Sequence, residues 1–165
     1  MTTKKKIAPP PVKRQIKGSA KARRNASRLA AVQCLYQMRQ NGMTAEQALG
    51  DYANNRMGIA EDGDVYVAAD PVLLRAILTG VEERLELLTE MLTGALGPTR
   101  ALDRQELLIQ CILICGAEEL FAHPETDTAL ILNNYVEVGK AFYDGREPAM
   151  INAALDTLAK TIRAA

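Results

Sequence analysis

Between residues 20 and 40 the apolar side chains fall at the spacing of one helix face. Leu29, Val32 and Tyr36 stand at i, i+3 and i+7, and Leu35 and Met38 widen the face. Ser19 sits at the N-cap position before this run, and Asn41-Gly42 supplies its stop. A second, short helix is predicted from Thr44, where Thr44 and Gln47 form a capping box, to about Asn54. Asp70-Pro71 opens a third, an N-cap followed by proline at the first helical position. Leu74, Ile77, Leu78, Val81, Leu85, Leu88 and Leu92 hold one face of it over about five turns. Glu82, Glu83, Arg84, Glu86 and Glu90 cover the other face, and Gly94 and Gly97-Pro98 end the helix.

Asp103 and Glu106 have the spacing of another capping box. From Leu107 to Phe121 the chain reads LLIQCILICGAEELF, apolar almost all round, which predicts a central, buried helix stopped at His123-Pro124. A further helix is expected from about Thr128 to Phe142, closing at Asp144-Gly145. Pro148 opens the last, whose seam is Ile151, Leu155, Leu158 and Ile162. Residues 55 to 69 carry three acids before Asp70 and little periodicity, so they read as a loop; the DGD within them is too short for a calcium site. No segment alternates with period two and no repeat is present. The pattern predicts an all-α fold, a compact bundle of six to seven helices.

The composition agrees: apolar residues make 48%, charged residues 24% and aromatics 4%, without tryptophan. At 165 residues the chain has the length of about one domain. Charge adds something the pattern does not. The formal net charge is zero, yet the first 28 residues hold ten cations and no acid, a balance of +10. The other ten cations and all twenty acids follow, a balance of −10. Residues 1–18, with Lys4 to Lys6, three prolines and a closing Gly18, are expected to form a disordered basic arm, and 19–165 the helical domain. The arm runs into further cations on a helix. That favours an electrostatic tether to a polyanion over a solubilising tail. Pro9-Pro10-Pro11 stand where a signal peptide would need an apolar stretch, and no run of 18 apolar residues exists. With three cysteines, an odd number, free thiols in a reducing cytoplasm are expected.

The chemistry of the chain narrows further. Lys21, Arg24 and Arg28 recur at i, i+3 and i+7, in line with Val32 and Leu35. One helical stripe is thus core at its C-terminal end and cationic at its start. The cationic end is expected to project beyond the core, because a buried unpaired cation is too costly. Such cations neutralise phosphates, and Arg23, Arg24 and Arg28 can stack on unpaired bases. This fits nucleic acid without separating RNA from DNA. Tyr36, on the apolar face, reads as core rather than as a stacking platform. Enzyme chemistry finds little support. His123, the only histidine, reads as a helix-end residue, Cys111 and Cys115 as core packing without a full metal-ligand set, and no glycine-rich loop has phosphate-binding spacing. The acids read as spread over solvent faces. No catalytic residue, cofactor or metal is expected.

Three blocks of this sequence, in order and in register, resemble one family. RRNASRLAAVQCLYQM resembles the opening helix of NusB transcription antitermination factors, CILICGAEEL their buried helix, and ILNNYVEVGKAFYDGREPAMINAALDTLAK their C-terminal region. The resemblance runs over about residues 20 to 163. It implies two small helical sub-bundles packed as one domain. It implies a non-enzymatic RNA-binding factor that takes boxA-type RNA of nascent ribosomal RNA. The small-subunit ribosomal protein NusE would be its partner, within an antitermination complex on RNA polymerase. The RNA-binding residues it implicates are Lys17, Lys21, Arg23, Arg24 and Arg28 at the basic start, and Lys140, Phe142 and Arg146 at the C-terminal turn. Monomer and homodimer both remain open.

The sequence also departs from the family. Leu132-Asn133-Asn134 replaces an Ile-Asn-Glu, Met150 stands where the family carries phenylalanine, Ile114 where it favours arginine and Glu118 where it favours tyrosine. Asn134 and Ile114 together remove one possible buried ion pair. These changes leave the expected fold standing and bear on RNA specificity and the NusE contact. The alternative reading is a protein–protein interaction module of the same fold that has lost specific RNA recognition. A ribosomal-RNA methyltransferase would need a catalytic domain with a cofactor-binding glycine motif. A helix-turn-helix would need a short turn between two suitable helices.

Overall fold

Local capping chemistry sets the helix ends. In the computed structural model, which describes residues 18–55 and 67–163, α1 runs Ala20–Asn41. The Ala22 N–H donates to Ser19 Oγ at 3.1 Å, and Gly42 closes the helix in the left-handed region at φ 66°. α2, Ala45–Asn55, begins with the reciprocal capping box: the Gln47 N–H donates to Thr44 Oγ1 at 3.2 Å and the Thr44 N–H to Gln47 Oε1 at 3.0 Å. α3, Pro71–Leu96, begins with the Val72 N–H donating to Asp70 Oδ1 at 2.9 Å. It passes through Gly94 and stops at Gly97. α4 spans Leu107–Ala122, α5 Thr128–Phe142 and α6 Glu147–Ile162. The expected arm lies outside the described residues except for Gly18, as does most of the loop after α2.

α1, α2 and α3 pack on one another, and so do α4, α5 and α6. The two groups join chiefly through α4, which touches α1 and α3, and Ile109 and Cys111 to Leu120 are all buried. Among the described residues there is no strand. The fold is all-α, two small helical groups sharing one core. Cys34, Cys111 and Cys115 are free and buried in it, and burial pushes the Cys111 thiol up to about 12. His123 caps the C-terminal end of α4, its N–H donating to Glu119 O at 3.0 Å.

Three expectations need correction. Asp103 and Glu106 form no capping box. Leu102–Arg104 is a short 3-10 turn that buries Leu102, and α4 starts only after Glu106, with no side-chain cap. Arg84 does not belong with the solvent-facing acids of α3. It turns inward, at a local departure from helical geometry (φ −117°, ψ 16°), and its Nε donates to Glu118 Oε2 at 3.0 Å, with a second bond from Nη2 to Oε1. Nor are all acids on solvent faces: Glu118 and Glu119 are completely buried.

The C-terminal end is tied down by one side chain. The Arg163 guanidinium donates to the carbonyls of Leu120 at 2.8 Å, Thr126 at 2.6 Å and His123 at 2.7 Å, and to Thr128 Oγ1 at 3.1 Å. The His123 carbonyl also accepts from the Thr126 N–H at 3.0 Å, so Arg163 mainly serves carbonyls left without a helical partner past the end of α4. Arg163→Ala is expected to lower the stability of the domain by about 2 kcal/mol, read as a lower urea midpoint with unchanged native helix content. An unchanged midpoint would show that water satisfies those carbonyls as well as Arg163 does.

Candidate nucleic-acid interface

The basic start of α1 divides into two kinds of residue. Lys21 and Arg24 are exposed. Arg23 is half-buried, and its carbonyl accepts from the Asp70 N–H at 3.2 Å and from Ser27 Oγ at 2.9 Å. Ser27 Oγ also lies 2.9 Å from Asp70 O. These contacts seat α1 on the segment leading into α3. Arg28 departs from expectation: it does not project but is buried, at 2% exposure. Its Nε donates to both Glu119 oxygens, at 3.0 and 2.7 Å, and its Nη1 to Asn25 Oδ1 at 3.3 Å. An unpaired cation would have to leave the core, but this one is paired and stays. Burial pushes the Tyr135 hydroxyl, beside the same carboxylate, well above the usual tyrosine range.

Of the other implicated residues, Lys17 lies outside the described ones. Lys140 is exposed, with Nζ 3.1 Å from Glu137 Oε1. Arg146 is exposed where α6 begins. Phe142, at 42% exposure, holds much of its ring in solvent at the end of α5. Met150 is half-buried against the core.

Phe142 does not stand alone. A groove of about 450 Å³ runs between the second half of α1, the start of α4 and the end of α5. Phe142 and Tyr36 line it together with the amides of Gln33, Gln37, Gln40 and Asn41. Tyr36 is half-buried, packs on the core with part of its ring and accepts from Gln40 Nε2 at 2.9 Å, so it is both core and groove wall. This amide row was missed in the sequence. Its signal was present: Gln33, Gln37 and Gln40 follow one another at i, i+4 and i+7, the spacing of one helical face. A second groove, also of about 450 Å³, lies beside the first half of α1. Among the described residues no group of histidines, cysteines and acids is arranged to hold a metal, and no helix is long and apolar enough to cross a membrane.

Comparison with known proteins gives this geometry a context. The family model described as NusB matches residues 25–160. The chain belongs to the NusB family of transcription antitermination proteins. A relative from Brucella ovis, the transcription antitermination protein NusB, is 42% identical over 141 residues, which cover 86% of this chain and 82% of that one. The protein of the same name from Rhizobium rhizogenes is 38% identical over 140 residues, covering 85% and 88%. A solved structure of Thermotoga maritima NusB ("T. maritima NusB") superposes with a TM-score of 0.68 at 20% identity, over 83% of this chain and 90% of that one. At that identity the superposition speaks for the fold. The positions where this chain departs from the NusB pattern also find their places. Ile114 is fully buried, and Asn134 Nδ2 donates to Leu130 O at 2.8 Å within its own helix. Glu118, fully buried, makes an ion pair with the partly exposed Arg84.

Proposed function

We propose that the protein is a non-enzymatic, RNA-binding antitermination factor. It holds boxA-type RNA of nascent ribosomal RNA together with the small-subunit ribosomal protein NusE, in the cytoplasm, within the antitermination complex of RNA polymerase. The observation that supports the RNA reading most is the shared location of cations, aromatics and amides along α1. Exposed Lys21 and Arg24 supply phosphate contacts near its start, and Phe142 with Tyr36 borders an amide-lined groove at its end. Unpaired bases are recognised by this combination, faces against aromatic rings and edges on hydrogen-bonding side chains. Arg28 is left out of the proposed RNA contacts, because its side chain is buried and its Nε bonds Glu119. The acid-rich remainder of the chain suits a basic protein partner.

The test is fluorescence anisotropy of a labelled boxA-type RNA against a scrambled RNA of equal length, over a salt series, with and without the ribosomal protein. A preference for boxA that the ribosomal protein sharpens and salt weakens is expected. Lys21→Glu with Arg24→Glu is expected to weaken binding at least roughly tenfold and to lower the salt slope by about two, while the domain stays folded. Undiminished affinity in that folded variant would remove these residues from the interface. Salt-insensitive, sequence-blind association would favour a protein-interaction module instead.

A further inference from the structure

The groove beside the first half of α1 has no role in the reading above. It lies between α1 and α5, and its lining combines three chemistries. Leu29 and Val138 are apolar, Asn25, Asn133 and Asn134 bring three carboxamides, and Lys21 brings a cation. Glu137, the one acid among the lining residues, is ion-paired at 3.1 Å with exposed Lys140.

We propose that this groove binds one unpaired base of a single-stranded RNA, part of the same strand whose other bases lie against Tyr36 and Phe142. The proposal rests on the RNA-binding reading and adds a second, separate base site to it. Its physical basis is the fixed polarity of two amides. Asn25 Oδ1 accepts from Arg28 Nη1, a group that can only donate, so the amide nitrogen of Asn25 is left to donate to a ligand. Asn134 Nδ2 donates to the Leu130 carbonyl, which can only accept, so the Asn134 oxygen is left to accept. The pair offers a base edge one donor and one acceptor, and exposed Asn133 offers both. The apolar residues take the face of the base, and Lys21 and Arg24 take the neighbouring phosphates. Continuity with the first groove supplies the occupant. Residues 21, 25, 29 and 33 follow at four-residue steps, then 36 and 40 at three and four, so they wind gradually round α1 within about a third of its circumference, and both grooves border α5, through Val138 and Ala141 in this one and Phe142 in the other. Asn25 and Tyr36 are about 16 Å apart along the helix, a span that a short run of extended nucleotides crosses.

The experiment titrates the full chain, labelled with nitrogen-15, with boxA-type RNA and with versions shortened one nucleotide at a time. The side-chain amide signals of Asn25, Asn133 and Asn134 are followed by NMR. They are expected to shift with the full RNA and to lose that response at one defined truncation, while the response around Phe142 persists. Asn133→Asp, at an exposed position that does not threaten folding, is expected to weaken the full RNA about tenfold and the truncated one not at all. Full RNA bound with wild-type affinity by Asn133→Asp, together with no shift of the three amide signals in the wild-type chain, would overturn the second site and leave the RNA-binding reading intact. No binding of any RNA by the wild-type chain would remove both. Shifts of these amides with the ribosomal protein and not with RNA would overturn the proposal and assign the groove to a protein segment.

Discussion

Arg28→Ala is expected to destabilise the domain by about 3–5 kcal/mol, the largest single loss foreseen for any cation of the basic start. Arg28 is 2% exposed and Glu119 not at all, so removing the guanidinium strands a carboxylate in the core, beside Tyr135. Arg28→Glu should be worse, placing two carboxylates there. The expected result is a markedly lower urea midpoint, measured by circular dichroism. RNA affinity measured well below that midpoint should fall far less than in Lys21→Glu with Arg24→Glu, because Arg28 touches no ligand itself and can act on one only through the orientation of Asn25. The paired replacement Arg28→Met with Glu119→Met is expected to recover most of the loss. A well-packed apolar pair substitutes for a buried ion pair at little cost, whereas half a pair does not. A midpoint unmoved by Arg28→Ala would mean that the ion pair does not hold α1 to α4. Near-wild-type stability together with lost RNA binding would return Arg28 to the interface. The contrast with Lys21→Glu and Arg24→Glu is the point. One helical stripe carries two surface cations that act on a partner and one internal cation that acts on the fold.

That division was only half legible in the sequence. Three helix starts were readable because each depends on residues within three positions, Ser19 with Ala22, Thr44 with Gln47 and Asp70 with Val72, whereas the same local spacing misled at Asp103 and Glu106. The membership of Val32, Leu35, Ile77 and Leu88 in the core was readable for a similar reason, since a face needs only its own period. The fate of Arg28 depends on Glu119, 91 positions away, and a stripe on one helix says nothing of what faces it. A clue did exist on the other helix. A segment apolar almost all round that still carries Glu118 and Glu119 must find two cations for them, because buried acids are paired. Searching for those cations would have led to Arg28 and Arg84. The groove was missed on different grounds. Tyr36 was assigned by period to the core, but a ring at the edge of a helix face serves two surfaces at once. Phe142, in contrast, entered by resemblance to the family, and the structure independently leaves its ring half in solvent.

One of these buried acids, Glu118, makes Gly80 the most crowded glycine among the described residues. Gly80 lies in the interior of α3, where α3 meets α4, and is buried. On helix propensity alone, Gly80→Ala should stabilise by about 1 kcal/mol. The packing reverses that sign. A methyl group there would lie 2.6 Å from Arg84 Nη2 and 2.6 Å from the carboxyl carbon of Glu118, closer than such atoms can approach. Arg84, still 31% exposed, can swing outward; Glu118, fully buried among the core side chains of α4, has nowhere to go. The clash therefore pushes the guanidinium and carboxylate apart and leaves the acid unpaired in the core. Gly80→Ala is expected to cost about 3 kcal/mol net, read as a lower urea midpoint. Glu118→Ala alone removes the ion pair but leaves Arg84 able to reach water, so its cost should be smaller. The double variant Gly80→Ala, Glu118→Ala should be more stable than the sum of the single losses predicts, because the new methyl group then occupies space the carboxylate has vacated. Simple additivity would show that the two sites do not meet. A stabilised Gly80→Ala would show that propensity outweighs the contact, and that the approach of α3 to α4 is looser than the ion pair requires.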